Sequence, residues 1–172
     1  MGLFSSERLD SFDDLVIDQL QDLYDAEQRI TSALPKMQSA ANNSSLKNAF
    51  QEHLRQTQNH VTRLEQVFQM MGRTPESKTC EAMKGLIKEG EELINTKGDP
   101  DVKDAALIAA AQRVEHYEIA AYGCARTFAQ RLGRHNAAQL LEQTLREEED
   151  TDKKLTDLAE NQINIRAAAT AR

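Results

Sequence analysis

The sequence has no tryptophan, only two cysteines and three prolines, and no apolar run of bilayer-spanning length. A membrane-crossing helix needs about 20 largely apolar residues in succession, so we expect no membrane partner. Cys80 and Cys124 form neither a CxxC pair nor the cysteine framework of a small secreted domain. The N-terminus also lacks the basic and apolar segments of a signal peptide. The simplest expectation is a reduced, cytoplasmic compartment.

Positive charge is scarce relative to negative charge. There are 21 lysines and arginines against 28 aspartates and glutamates, which gives a formal net charge of −7. A protein that binds nucleic acid needs a basic patch to meet the phosphates, and the sequence contains none. We therefore expect no nucleic-acid partner.

Helix-forming residues dominate the sequence, and apolar residues recur within it at helical spacing. The pattern predicts four long helices and a short one between the second and third, at residues 12–41, 46–71, 80–96, 102–132 and 136–163. This order predicts an all-α four-helix bundle with a long crossover that contains the extra short helix. We expect residues 1–165 to form the bundle and residues 166–172 to be a frayed tail.

The two halves of the sequence repeat at a constant offset of 91 residues. Glu27 corresponds to Glu118, and Leu54 corresponds to Leu145. The same offset serves both pairs of long helices, which indicates a duplicated helical hairpin.

Acidic and histidine side chains interrupt the apolar face of each long helix, where core residues are expected. On the second helix, His53 and His60 flank Thr57, which lies at the centre of the apolar face. The other interruptions are glutamates on the first and third helices and two acidic residues on the fourth. The candidate metal ligands are Glu27, His53, His60, Glu115, Glu118, Glu148 and Asp152.

Two interpretations of these residues remain open. Burying an unpaired carboxylate costs several kcal/mol, and a pair of metal ions would offset that cost for the whole set. Carboxylate and imidazole ligands suit iron or manganese. Alternatively, each glutamate lies at a helix edge with its head in water, both histidines are partly buried, and residues 147–150 form a solvated charge run. The sequence assigns no catalytic residue.

Seven short segments also carry a family resemblance. The most specific are 114–120 (Val-Glu-His-Tyr-Glu-Ile-Ala) and 144–149 (Thr-Leu-Arg-Glu-Glu-Glu), and the others are 23–28, 53–57, 80–87, 104–112 and 155–159. Together they resemble the YciF-like family of ferritin-like bacterial stress proteins. The resemblance implies a ferritin-like bundle, a homodimer, a cytoplasmic location, a stress association and a dinuclear metal site. It implies that the inward acidic and histidine positions are Glu27, His53, Glu115, Glu118, Glu147 and Glu148.

The sequence departs from this pattern at Gln56, where the family usually has glutamate. The Glu-x-x-His pair of ordinary di-iron bundles is also absent, although Thr57-x-x-His60 has its spacing. Two functions follow. One is an iron- or manganese-dependent protein that acts on peroxide or oxygen, as manganese catalases do, or sequesters iron. The alternative is a non-catalytic dimeric helical scaffold with a vestigial or vacant metal site.

Overall fold

Side-chain caps define where three of the long helices begin. The computed structural model describes residues 9–169. The Ser11 hydroxyl accepts a hydrogen bond from the backbone N–H of Asp14, whose carboxylate accepts one in return from the N–H of Ser11. Asn43 and Asp99 cap the second and fourth helices in the chain in a similar way. Each cap satisfies N–H groups that have no partner within the helix.

The helices follow the predicted order, and the expected all-α fold with a short helix in the crossover is confirmed. They are α1 (Phe12–Ala40), α2 (Ser44–Met70), the crossover helix α3 (Glu81–Asn95), α4 (Pro100–Arg131) and α5 (His135–Leu158). Helix α4 begins two residues before the predicted start because Pro100 occupies the first turn, where its missing N–H costs nothing. Within residues 9–169, no helix combines the length and apolar character needed to cross a membrane.

The chain stays helical beyond α5. A π-helical turn spans Ala159–Ile163, and a short helix, α6, covers Asn164–Ala169. Helical structure therefore extends to Ala169, and the boundary between bundle and tail at residues 165 and 166 stays a prediction. Residues 170–172 of that tail, and residues 1–8 at the other end, lie outside the described residues.

The long helices pack as two hairpins, α1 with α2 and α4 with α5, while α2 also packs against α5 and α3 lies across α1 and α4. Their apolar faces form two clusters. One contains Ile30, Phe50, Leu107 and Leu155, and the other contains Val16, Leu64, Tyr122 and Leu141. On each long helix, the polar interruptions lie between residues of the first cluster and residues of the second. The fold therefore places a polar layer inside the apolar core.

A buried carboxylate joins the two hairpins at one end of the bundle. The side chain of Asp104, on α4, is fully buried and accepts hydrogen bonds of 2.7 Å from the backbone N–H groups of Asn42 and Asn43. These N–H groups belong to the turn between α1 and α2. Asp104 therefore fixes that turn against α4.

We expect the Asp104→Ala variant to lose roughly 2–4 kcal/mol of unfolding free energy, because two backbone N–H groups lose a charged acceptor. Urea denaturation followed by circular dichroism measures the loss. Asp157→Ala is the matched control, since the exposed Asp157 side chain pairs with Lys153 one helical turn away. The control should change stability by less than about 0.5 kcal/mol. Equal losses in the two variants would contradict this role.

Candidate metal centre

Six acidic and histidine side chains meet in the polar layer of the bundle. Every one of the four long helices contributes, and each side chain is at most 3% exposed. The set consists of Glu27 from α1, His53 and His60 from α2, Glu115 and Glu118 from α4, and Glu148 from α5. The interpretation in which these glutamates lie at helix edges with their heads in water is therefore wrong. So is the expectation that the two histidines are only partly buried.

The six side chains form two groups, each compact enough to hold one metal ion. His53, Glu115, Glu118 and Glu148 form the four-residue group, and Glu27, His60 and Glu148 form the three-residue group. Within each group the potential ligand atoms lie within 4.8 Å of one another. Glu148 belongs to both, with Oε2 closer to His53 and Oε1 closer to His60.

The separations within the groups are those of ligands around a shared point. In the four-residue group, His53 Nε2 lies 3.3 Å from Glu115 Oε1 and 3.9 Å from Glu148 Oε2. In the three-residue group, His60 Nδ1 lies 2.9 Å from Glu148 Oε1 and 3.3 Å from Glu27 Oε1. The histidine nitrogens thus face carboxylate oxygens across the centre of the bundle.

Most of the inward atoms lack hydrogen-bond partners among the described residues. They include both oxygens of Glu118 and Glu148, one oxygen each of Glu27 and Glu115, both ring nitrogens of His53 and Nδ1 of His60. Leaving such atoms buried without partners costs free energy at each position. The donors are oxygen and nitrogen, with no sulfur, which is the set that suits iron or manganese. The residues present therefore fit the metal pair that the sequence implies.

Residues around the centre hold two of the inward side chains in place. The Nε2 atom of His60 lies 2.8 Å from Glu147 Oε2, and the guanidinium of Arg63 donates to both oxygens of Glu147 at 2.8 and 2.9 Å. A histidine that donates one ring N–H to a carboxylate keeps its other nitrogen free for a metal. The Tyr122 hydroxyl donates to Glu27. Glu147 thus orients His60 from outside the two groups.

Protonation of the centre reflects the burial of so many acids. Burial, together with the charges of neighbouring carboxylates, raises the pKa of Glu115 and of Glu118 well above the usual range. Burial lowers the pKa of His60, but the carboxylates that face its ring, those of Glu147, Glu148 and Glu27, outweigh that effect and raise the pKa to about 11. Burial lowers the pKa of His53. Without metal, protons therefore take the place of cations in the centre.

Asp152, the remaining sequence-predicted ligand, lies outside both groups. Its Oδ1 atom accepts a hydrogen bond of 3.0 Å from Gln112 and lies 3.3 Å from His116 Nε2. Its side chain is 22% exposed, so water solvates it. Asp152 lies one turn beyond Glu148 on α5. Its side chain contacts Gln112 and His116 of α4 near the surface and does not reach the centre of the bundle.

The internal repeat explains why no Glu-x-x-His pair occurs in the sequence. At the offset of 91 residues, Thr57 corresponds to Glu148 and His60 corresponds to Thr151. One half of the chain therefore has the histidine of the motif, and the other half has its acidic residue. His53, two helical turns before His60, supplies the second inward imidazole. In the sequence, the signal that both imidazoles face inward was the spacing of seven residues, about two helical turns, between His53 and His60.

The helix order and the buried carboxylate–histidine layer define a ferritin-like helical bundle with a candidate dinuclear centre. A family model described as "Domain of unknown function (DUF892)" matches residues 11–168. The chain belongs to this DUF892 family.

Known relatives agree with this assignment. Protein YciF of Escherichia coli (strain K12) is 46% identical over 158 residues, which cover 91% of this chain and 95% of YciF. The crystal structure of the E. coli stress protein YciF superposes with a TM-score of 0.87 and covers 90% of this chain and 98% of that one. YcfI of Rhodopseudomonas palustris, 42% identical, has a TM-score of 0.85 over 89% of this chain and 98% of its own.

We expect the Glu118→Gln variant to be more stable than the wild type in metal-free solution, by about 1–3 kcal/mol near pH 8. The pKa of Glu118 is raised in the folded protein, so its contribution to stability is full below the unfolded value of 4.5 and is lost as the pH rises through the folded value. The advantage of the variant should shrink toward about pH 5. Denaturation with urea in the presence of a chelator, across this pH range, measures both effects.

Glu149→Gln provides the control for this comparison, because Glu149 follows Glu148 on α5 but is exposed. It should change stability by less than about 0.5 kcal/mol at any pH in the series. A Glu118→Gln variant that is less stable than the wild type at every pH in the series would contradict this prediction. It would show that Glu118 stabilises the metal-free fold.

Proposed function

We propose that this protein binds two ions of iron or manganese at the centre of its bundle and uses them to react with dioxygen or hydrogen peroxide. The observation that carries the proposal is the convergence of six buried side chains, most of whose inward atoms have no hydrogen-bond partner among the described residues. Buried polar atoms without partners cost free energy, and bound ions would offset that cost. The proposed ligands are those of the two groups, with Glu148 shared between the ions.

Charge balance supports two divalent ions. The two groups together contain four carboxylates, from Glu27, Glu115, Glu118 and Glu148, and two imidazoles. Four ionised carboxylates carry a charge of −4, which two divalent cations neutralise when both histidines are uncharged. A centre of zero net charge is the least costly state to bury in an apolar core.

Iron or manganese, when bound, would supply an element that changes oxidation state, which carboxylates and imidazoles cannot do. The residues of the chain perform the other tasks. The two apolar clusters exclude water above and below the centre. Glu147 and Arg63 orient the His60 ring, and the Tyr122 hydroxyl holds one oxygen of Glu27.

A polar pocket gives ions and peroxide a route to the centre. It lies between α2 and α5, has a volume of about 190 Å³, and reaches both His53 and Glu115. Charged side chains line it, among them Glu52, Asp150 and Lys154. Gln56 lies in its wall beside His53, so the residue that departs from the family pattern belongs to the route and not to the ligand groups.

The relatives suggest the cellular setting. YciF of E. coli is described as a stress protein, and reaction with oxygen or peroxide is a chemistry that a stress protein can use. We therefore propose a stress-associated role in the cytoplasm, where the free cysteines Cys80 and Cys124 would stay reduced. A homodimer remains a prediction from the family resemblance. The scaffold alternative would also predict an exposed apolar face, either on the crossover helix or on the last long helix near the tail. On α3, Met83, Leu86 and Ile87 pack against the core, which does not favour the first of these.

The first test is metal stoichiometry. Anaerobic titration of the chelator-treated protein with Fe(II) or Mn(II), checked by elemental analysis, should give two ions per chain. His53→Ala should lose one ion, because His53 belongs to one group, whereas Glu148→Gln should weaken both. Mutation of a metal ligand typically weakens binding by tenfold or more, on the order of 1.4 kcal/mol at least.

Asp152→Asn is the control for the titration, since Asp152 lies beside the centre without joining either group. It should still bind two ions. A wild-type protein that binds no iron and no manganese would refute the proposed function, and an Asp152→Asn protein that loses an ion would refute the assignment of ligands.

A second test identifies the reaction. We expect the iron-loaded protein to consume hydrogen peroxide as its Fe(II) is oxidised, and the Glu148→Gln variant to do so much more slowly. Absorbance of Fe(III) and residual peroxide are the two readouts. Evolution of dioxygen by the manganese-loaded protein would instead assign the disproportionation reaction of a manganese catalase. Peroxide that remains stable with both metals would contradict the proposed chemistry while leaving metal binding intact.

A further inference from the structure

A second pocket reaches the metal centre from the opposite side, and it is apolar. It lies under the crossover helix α3, between α1 and α4, and its walls include Leu34, Met37, Ile87, Ile94 and Val114. At its inner end are His53 and Glu115, the same pair that the polar pocket reaches. The four-residue group therefore borders two pockets of opposite chemical character.

The size of the apolar pocket restricts what it can hold. Its volume is about 30 Å³, whereas a single water molecule needs about 10–15 Å³ of such space. The pocket thus has room for a molecule of about two heavy atoms. Hydrocarbon walls offer water almost no hydrogen bonds, and cavities of this kind stay dry and take up apolar gases.

The mouth of the pocket carries an ion pair. Lys36 on α1 and Glu91 on α3 both line the pocket, and their side chains meet at 2.7 Å. Both side chains are about half exposed, at 58% and 45%. The walls behind this ion pair are hydrocarbon, so an ion that entered the pocket would lose its hydration shell at a large cost in free energy. A small apolar molecule would not bear that cost.

Gly90 keeps this pocket open. It lies in the middle of α3, where glycine weakens a helix, and it is buried. It does not have a positive φ angle, and no neighbouring atom lies within 4 Å of the place where a Cβ atom would be. Neither backbone conformation nor close packing requires glycine there. The space beside Gly90 is the pocket itself.

We propose that the apolar pocket beneath α3 binds dioxygen and delivers it to the four-residue group, while ions and peroxide use the polar pocket. Dioxygen is apolar and diatomic, which matches both the walls and the volume. The inference rests on the proposed function, because it assigns dioxygen to the same metal centre. It adds a binding site, a route and a residue, Gly90, that determines access.

Xenon tests the pocket without any metal. Crystals of the metal-free protein pressurised with xenon should show an anomalous scattering peak between Gly90 and Val114. Gly90→Leu should abolish that peak, because the new side chain fills the pocket. Gly90→Ala, which adds one methyl group and favours the helix, should weaken it. Gly85→Leu is the matched control, since Gly85 lies on α3 with equally open space but faces solvent.

Oxidation kinetics test the route. With two Fe(II) ions held in the centre, dioxygen would gain one electron from each and two protons, and would leave as hydrogen peroxide. Gly90→Leu should slow oxidation of bound Fe(II) by dioxygen about tenfold, a modest added barrier, relative to the wild type and to Gly85→Leu. Oxidation by added hydrogen peroxide should be unchanged, because peroxide enters through the polar pocket.

The two measurements separate this inference from the proposed function. Absence of the xenon peak in the wild type, or its persistence in Gly90→Leu, would overturn the pocket. An unchanged rate with dioxygen, or equal slowing with both oxidants, would overturn the route. If the wild type binds no iron, the proposed function fails, and the xenon result alone decides whether the pocket takes an apolar gas.

Discussion

Four glutamates point into the middle of the bundle, where water does not reach them and where their charges repel one another. This arrangement can persist only if protons or cations neutralise the acids, because an unpaired buried charge costs several kcal/mol. Two histidines from α2 face these acids, and the surrounding carboxylates raise the pKa of His60, so that its ring holds a proton tightly. The need to neutralise these acids links the fold of the chain to the proposed chemistry, since the same residues that weaken the metal-free core are the ones that could hold metal ions.

The rest of the structure supports that centre from outside. Two apolar clusters enclose the polar layer and provide the stability that the buried acids reduce. Glu147 and Arg63 fix the orientation of the buried His60 ring. The crossover helix α3 is more than a connection between the hairpins, because it forms one wall of an apolar pocket that ends at His53 and Glu115. The centre therefore has a polar side, facing α2 and α5, and an apolar side beneath α3.

Much of this architecture could be predicted from periodicity. Each long helix has an apolar face of its own, and three of them are preceded by a capping residue, namely Ser11, Asn43 or Asp99. Helix formation and capping depend on residues within a few positions of each other, so the sequence predicted the helices to within a few residues at most ends. Glu27 and Glu118 could be identified for the same reason, because helical spacing alone places each of them on an apolar face. The internal repeat also aligns the two positions.

Periodicity does not predict which of those residues meet, because that depends on how the helices pack. Glu148 and Asp152 occupy the same face of α5 in sequence terms, yet Glu148 joins both ligand groups and Asp152 binds Gln112 near the surface. Glu147 and Glu148 are neighbours in a run of acids, but Glu147 orients His60 from outside the two groups, whereas Glu148 is a member of both. The sequence by itself determined the helices, their polar interruptions and the duplicated hairpin. Only the tertiary structure decided which acids meet, because helix rotation and approach set distances of a few ångström between residues far apart in the chain.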